Sequence, residues 1–334
     1  MDVRTTIKVL RSGDVRGRLS AVRDGRAAVR LSTVAAGLHT GVLEALAGGA
    51  ATVEEVAGRV HASDRDLLQA FLEVLATTGF VARRGDRFRL TRRGTAVLED
   101  RMVRATYTAF SDYHTGLYRG LGDQLAGGPG RDDVTRQAAV IAELSEVMQP
   151  FSDALLREVV ADRRPRSVLD VGCGAGRQLA TMLEAAPAAR GVGIELDPES
   201  ADLARRHLTD NGVADRAQVV VGDARGLLDT VEPVDLALLA NVVYYVPVDE
   251  RVALLRDLHS RVRPGGAVVV ISTALLDDSF SRHFDLLLRA QEGRMQLPDM
   301  QELAGPLAEA GFVPGEPRRI AYGEPLHAVV ADRP

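Results

Sequence analysis

Three carboxylates stand at the ends of apolar, strand-like runs: Asp170 in SVLDVGCGAG, Glu195 in GVGIELDP and Asp223 in AQVVVGDA. After the first come Gly172, Gly174 and Gly176, a turn in which the backbone can pass close to a ligand where side chains would block it. A glycine-rich strand-to-helix turn marks a nucleotide-type site, yet it also serves enzymes that seat a pyrophosphate on the helix N-terminus. Asp170 alters that chemistry, because a carboxylate just before the glycines repels a pyrophosphate and attracts a cation. Glu195 is a two-oxygen acceptor suited to a pair of ribose hydroxyls. Gly222 and Asp223 end the third run, where the carboxylate can accept an adenine amino group and Ala224 can offer a backbone N–H. Each acid taken singly also reads as a helix N-cap. Three at successive strand ends read as one site for a positively charged nucleoside.

S-adenosylmethionine has that character, with Asp170 holding its cationic amino-acid end directly or through water. A nicotinamide dinucleotide fits less well, since the glycines are spaced G-x-G-x-G rather than G-x-G-x-x-G. Cys173, the only cysteine, reads as a small space-filler within the turn, because no His or Lys beside it would activate the thiol. Where a proton must be removed, histidine titrates nearest neutral pH, and His114 and His283 are the candidates. His114 stands among Tyr107, Tyr113 and Tyr118, a set that suits either core packing or a pocket wall, and helical spacing puts His114 and Tyr118 on one face. Asp285 could orient His283 only if the chain there is not helical. No histidine has metal-ligand spacing, so no metal is expected.

The elements that must position these groups alternate from Ser167 onward. Strands SVLDV, GVGIEL, AQVVVGD, DLALLAN and AVVVIST are separated by helical stretches, the pattern of a parallel sheet covered on both faces in a doubly wound α/β fold. A helix near residues 300–310, the strand-like FVPGEPRRIAY and a final LHAVVA follow, the last two as a candidate closing hairpin. Upstream, Val34, Leu38, Val42, Leu43 and Leu46 recur as one buried helical face. Thr52 followed three residues later by Glu55 is a capping-box start for a second helix, and Ser63-Asp64 opens a third that stops at Gly79. FVARRGDRFRLT then gives two short strands around Gly85-Asp86. Three helices and a hairpin make a winged-helix pattern. Acidic residues Asp64, Asp66 and Glu73 on the third helix favour dimerisation over DNA binding. The expected organisation is 1–100 as this domain, 101–160 as linking helices broken at GDQLAGGPGRDD, and 161–334 as the catalytic domain.

Bulk properties agree. At 334 residues, two cores are expected, and 46% hydrophobic with 26% charged residues is an ordinary globular composition. No run reaches the about 18 apolar residues of a membrane span, and the N-terminus lacks an apolar signal block, so a cytoplasmic location is expected. A net charge of −5 argues against a nucleic-acid partner.

VLDVGCGAG, GIELDP, VVGDA, ANVVYYVP and RVRPGGAVVVIS resemble the successive motifs of class I S-adenosylmethionine-dependent methyltransferases, from Ser167 to the C-terminus. TVEEVAGRV and GDRFRLTRRGTAVL further resemble the winged-helix dimerisation domain of small-molecule O-methyltransferases from secondary metabolism. The resemblance implies a Rossmann-like seven-stranded sheet with an antiparallel final strand, a homodimer and a pocket between the two cores for a small-molecule acceptor. It also implies that Met148, Phe151 and Ser152 approach the cofactor, that Asn241 lines its methionine end, and that Tyr244 or Tyr245 faces the substrate. Leu196 joins the cofactor-binding candidates, Tyr245 the catalytic ones, and Tyr113, Tyr118 and Phe284 the substrate ones. Many members carry a catalytic His after the fourth strand, where this chain has Tyr244-Tyr245. Another residue then takes the proton, an acidic acceptor needs no base, or methylation falls on nitrogen or carbon. Two further readings remain: a methyltransferase-like enzyme that catalyses cyclisation or rearrangement, and a winged-helix regulator that senses a ligand.

Overall fold

A computed structural model describes residues 13–136, 141 and 148–334. The chain divides into two compact units, 1–118 and 119–334, so the expected linking segment 101–160 is shared between them.

The first unit opens with α1 (Val15–His39) and α2 (Val42–Ala45). The apolar face from Val34 to Leu46 was expected on one helix, but Gly41 adopts φ 72°, a left-handed conformation natural to glycine, and breaks it in two. α3 (Val53–Val60) carries the full capping box, with Glu55 N–H donating to Thr52 Oγ1 at 3.2 Å and Thr52 N–H to Glu55 Oε2 at 2.8 Å. α4 (Arg65–Thr77) is capped by the Asp64 carboxylate. β1 (Val81–Arg84) and β2 (Arg87–Leu90) pair antiparallel across the two-residue turn Gly85-Asp86. α5 (Arg92–Glu99) and α6 (Arg101–Thr108) follow. Val34, Leu43, Leu72, Phe80 and Phe88 are buried in one core.

Beyond α6, Ala109–His114 form a π-helical turn ahead of α7 (Thr115–Leu125). α8 (Asp133–Arg136) and α9 (Gln149–Arg163) lead to the sheet; most of the stretch between them, including the Ser145–Val147 part of SEVMQPFS, lies outside the described residues.

The second unit alternates as its sequence does: β3 (Ser167–Val171), α10 (Arg177–Ala185), β4 (Arg190–Glu195), α11 (Pro198–Asp210), β5 (Ala217–Val221), α12 (Ala224–Leu227), β6 (Val234–Ala240), α13 (Val248–Arg261), β7 (Val262–Thr273), α14 (Ser279–Arg289), α15 (Ala304–Glu309), β8 (Val313–Pro314), β9 (Arg318–Arg319) and β10 (Leu326–Asp332). The sheet order is β5-β4-β3-β6-β7-β10-β8, with β9 also on β10. The strands from β3 to β7 pair parallel, and β10 runs antiparallel to β7. Eight strands stand where seven were expected, because FVPGEPRRIAY splits at Gly315–Pro317 into two short strands that both pair with β10. Two prolines, which lack N–H donors, keep that edge short. One apolar core lies on each face of the sheet, as two-sided burial requires. Strand order reverses between β3 and β6, and the crevice beyond their carboxyl ends is where ligands bind in open α/β sheets. Among the described residues no helix is long and apolar enough to cross a membrane.

Candidate active site

At that crevice β3 passes into its glycine turn. Gly172, Gly174 and Gly176 have φ of 71°, 52° and 73°, conformations that L side chains rarely adopt. A Cβ on Gly172 would stand 2.6 Å from Val242 Cγ2, so the turn lies directly against the segment leaving β6. A Cβ on Gly176 would press on Ala204 of α11 at 2.9 Å, whereas at Gly174 it would meet nothing within 4 Å. Gly174 is therefore the glycine whose backbone faces open space. Its N–H donates to Glu195 Oε2 at 2.7 Å, and Glu195 Oε1 accepts from Asp197 N–H at 3.0 Å. Each Glu195 oxygen accepts one backbone N–H, which leaves each a lone pair for a hydroxyl donor.

Asp170 lies one residue inside the end of β3, not at its tip, and is 1% exposed. Its Oδ2 is buried with no hydrogen-bond partner among the described residues. Burial, reinforced by the charge of Glu195, raises its carboxyl to about 7 against a smaller opposing influence from the Leu179 backbone. An unpaired buried carboxylate oxygen beside an open glycine backbone fits a ligand that brings positive charge. Cys173 is buried and its thiol is pushed far up, first by burial and then by Asp170 and Glu195, so it is an inert space-filler.

Asp223 follows β5 and caps α12 by accepting Arg225 N–H at 3.0 Å. Both of its oxygens also take the Arg225 guanidinium, at 3.1 and 2.7 Å, and this pairing holds its carboxyl below the usual range. Arg225 continues to Glu250 at 2.8 Å. Asp223 is thus ionised and already engaged, so an adenine amino group would share it with Arg225. Gly222 N–H donates to Glu195 O at 2.8 Å, which joins the second and third strand ends, while Leu196 is exposed and Ala224 half-buried. Asn241 leaves β6 at φ 57°, a strained conformation of the kind found at functional sites, its N–H on Ile271 O. Met148, the residue before α9, is half-buried, and on the helix Phe151 is exposed and Ser152 buried.

Tyr244 and Tyr245 lie on the 3₁₀ turn Val243–Tyr245, their rings 4.5 Å apart. Tyr244 meets Phe284 of α14 edge-on at 5.7 Å, and Phe284 stacks with Phe280. Leu275, Leu288, Met295 and Leu297 complete this apolar wall. Burial pushes the Tyr245 phenol above its usual value, and the charge of Glu195 adds to the rise. As a base at neutral pH Tyr245 is therefore unsuited. His283 sits half-buried on α14, and burial lowers its imidazolium below the ordinary range, so it is neutral near pH 7 and able to accept a proton. Because α14 is helical, Asp285 points away from His283 and instead accepts Arg289 Nε at 2.7 Å and Leu297 N–H at 3.0 Å.

His114 and Tyr113 belong to the first unit, both buried. His114 stacks on Phe110 at 4.6 Å and lies 5.2 Å from Tyr113. Tyr107 packs edge-on to Phe80 and accepts a hydrogen bond from Arg93. Tyr118 is 53% exposed, and so does not share the buried setting of His114 that one helical face implied. Two arginines that tie these segments together escaped the sequence reading. Arg225 offered only its position two after Asp223, whereas Arg251 stands at the start of the i, i+3, i+4, i+7 apolar face completed by Leu254, Leu255 and Leu258.

A family model described as methyltransferase domain matches residues 168–266, which run from β3 through the first residues of β7. The chain is 32% identical over 167 residues to aclacinomycin 10-hydroxylase RdmB of Streptomyces purpurascens, a match covering 48% of this chain and 44% of that protein. The aligned stretch thus spans under half of that relative. It is 27% identical over 303 residues to the N,N-dimethyltransferase OxyT of Streptomyces rimosus, covering 84% of this chain and 86% of that one. The solved structure of the mitomycin 7-O-methyltransferase MmcR superposes with a TM-score of 0.75 at 22% identity, over 96% of this chain and 98% of that one. The fold is therefore the Rossmann-like fold of such O-methyltransferase structures, preceded by a mostly helical region.

Proposed function

We propose that this chain transfers a methyl group from S-adenosylmethionine to a small-molecule acceptor of secondary metabolism, oxygen first among the acceptor atoms, with nitrogen or carbon as the others. The observation that carries this reading is the buried, unpaired Asp170 oxygen beside the open Gly174 backbone and the two-oxygen acceptor Glu195. Glu195 would hold the ribose hydroxyls, Asp170 the cationic end, Asp223 and Ala224 the adenine, and Asn241 the methionine end. The bound cofactor supplies an electrophilic methyl on a sulfonium that leaves as a neutral thioether. The chain's task is then alignment: Tyr244, Phe284 and their apolar neighbours orient the acceptor and exclude water. His283, neutral near pH 7, is the base where one is needed, and Tyr245 is unsuited to take the proton.

The test is calorimetric titration of S-adenosylmethionine, and separately NAD, into the purified protein and into folded Asp170→Ala and Glu195→Ala variants. Micromolar binding of S-adenosylmethionine that both substitutions weaken supports the reading; no binding, or preference for NAD, overturns it. A second reading is favoured by RdmB, a relative named for hydroxylation, together with the tyrosines where a base was expected. In that reading the fold and cofactor serve another conversion, and the mass of the product separates the two. We also propose a cytoplasmic homodimer built on residues 1–100. Leu19, Val22 and Val29 stand more than half exposed along α1, an apolar stripe that suits a second copy.

A further inference from the structure

Arg251 is 5% exposed, on the first turns of α13, and among the described residues no carboxylate comes within 4 Å of its guanidinium. A buried cation of this kind is costly unless its donors are used. Arg251 uses them on backbone: Nε donates to Val246 O at 3.1 Å and Nη2 to Gln296 O at 2.7 Å. The first acceptor ends the turn that carries Tyr244 and Tyr245; the second lies in the segment after α14. That segment is held at successive backbone atoms. Gln296 N–H donates to Tyr244 O at 3.1 Å, Leu297 N–H to the buried Asp285 carboxylate at 3.0 Å, and Pro298 O accepts from Leu275 N–H at 2.9 Å. Leu297, Met295, Tyr244, Tyr245 and Phe284 form the apolar wall, so the strap and the tyrosine turn that build it meet on one guanidinium.

We propose that Arg251, assisted by Asp285, is a positioning residue for the acceptor: it locks the strap Met295–Pro298 to the tyrosine turn and so sets the shape of the acceptor wall. This rests on the methyltransferase reading. Among the described residues the Arg251 hydrogen bonds go to Val246 O and Gln296 O and not to the glycine turn or Glu195, which puts its action on the acceptor side. A planar guanidinium spans two carbonyls at fixed angles, which an ammonium cannot do.

The experiment compares wild type with Arg251→Met, which keeps the aliphatic stem, and Arg251→Lys. Three quantities are read: amide hydrogen exchange across residues 293–298, calorimetric affinity for S-adenosylmethionine, and KM and kcat for the best acceptor in a panel of simple phenols and anilines. In Arg251→Met, exchange at Gln296 and Leu297 is expected to accelerate about tenfold or more, as local opening follows loss of both carbonyl contacts. KM for the acceptor rises by about tenfold with kcat changed less than about threefold, S-adenosylmethionine affinity is kept, and Arg251→Lys recovers part of the KM. Should Arg251→Met fail to fold, Asp285→Ala removes the acceptor of Leu297 N–H and is read the same way. Unchanged exchange in a folded variant, or parallel loss of S-adenosylmethionine affinity and acceptor KM, overturns the proposal. Wild type that fails to bind S-adenosylmethionine defeats the methyltransferase reading and the acceptor role with it, whereas normal cofactor binding with unchanged exchange defeats the clamp alone.

Discussion

Asp170 joins burial, an unpaired oxygen and a neighbouring carboxylate in one side chain, and its titration carries two consequences. Its carboxyl is raised in the fold to about 7 from an ordinary 3.8, so the protonated form is the one the fold favours. Its contribution to stability is fully present below about pH 4 and declines as pH rises through 7, on the order of 4 kcal/mol in all. Asp170→Asn is expected to flatten that slope in thermal melts between pH 5 and 8. A ligand that brings positive charge favours the ionised carboxylate and releases a proton on binding. S-adenosylmethionine affinity should therefore rise from pH 6 to pH 8, and calorimetry in buffers of different ionisation enthalpy should register the released proton; a flat profile would remove Asp170 from the binding site. Glu195→Ala deletes a charged acceptor and frees the Gly174 N–H, for an expected loss of about 10- to 100-fold in affinity. These carboxylates were legible because each stands within two residues of a strand end on an apolar run. The Arg225 pairing of Asp223 was not, since nothing local says which acid an exposed arginine will hold.

At the scale of elements, the glycine turn separates folding from binding. Gly172→Ala combines φ 71° with a 2.6 Å approach to Val242 and should destabilise by several kcal/mol, read in denaturant melts. Gly174→Ala meets open space and carries only the strain of φ 52°, about 1 kcal/mol. It should fold well and yet lose cofactor affinity, a contrast that a purely structural turn would not produce. In the first unit, Thr52→Ala removes the α3 cap and should cost about 1 kcal/mol. Caps and hairpins of this kind are written locally, and the Thr52–Glu55 box and the Gly85-Asp86 turn were readable for that reason. The break at Gly41 and the π-helical turn before Thr115 were not, because both register shifts are settled by packing rather than by periodicity.

For the molecule as a whole, the proposed homodimer gives light scattering a mass about twice the 35.8 kDa of the chain, and Leu19→Glu with Val22→Glu should shift it toward one chain. A single-chain mass in the wild type at micromolar concentration would count against the dimer. By itself the sequence determined the alternation of strands and helices and the carboxylates at the strand ends, because hydrophobic period and turn chemistry act over a few neighbouring residues. The tertiary structure alone decided that Asp170 is buried without a partner, that the tyrosine turn meets α14, and that Arg251 ties Val246 to Gln296. These depend on strands and loops far apart in the chain being brought together by a parallel sheet, whose crossings place distant residues side by side in ways that no local pattern encodes.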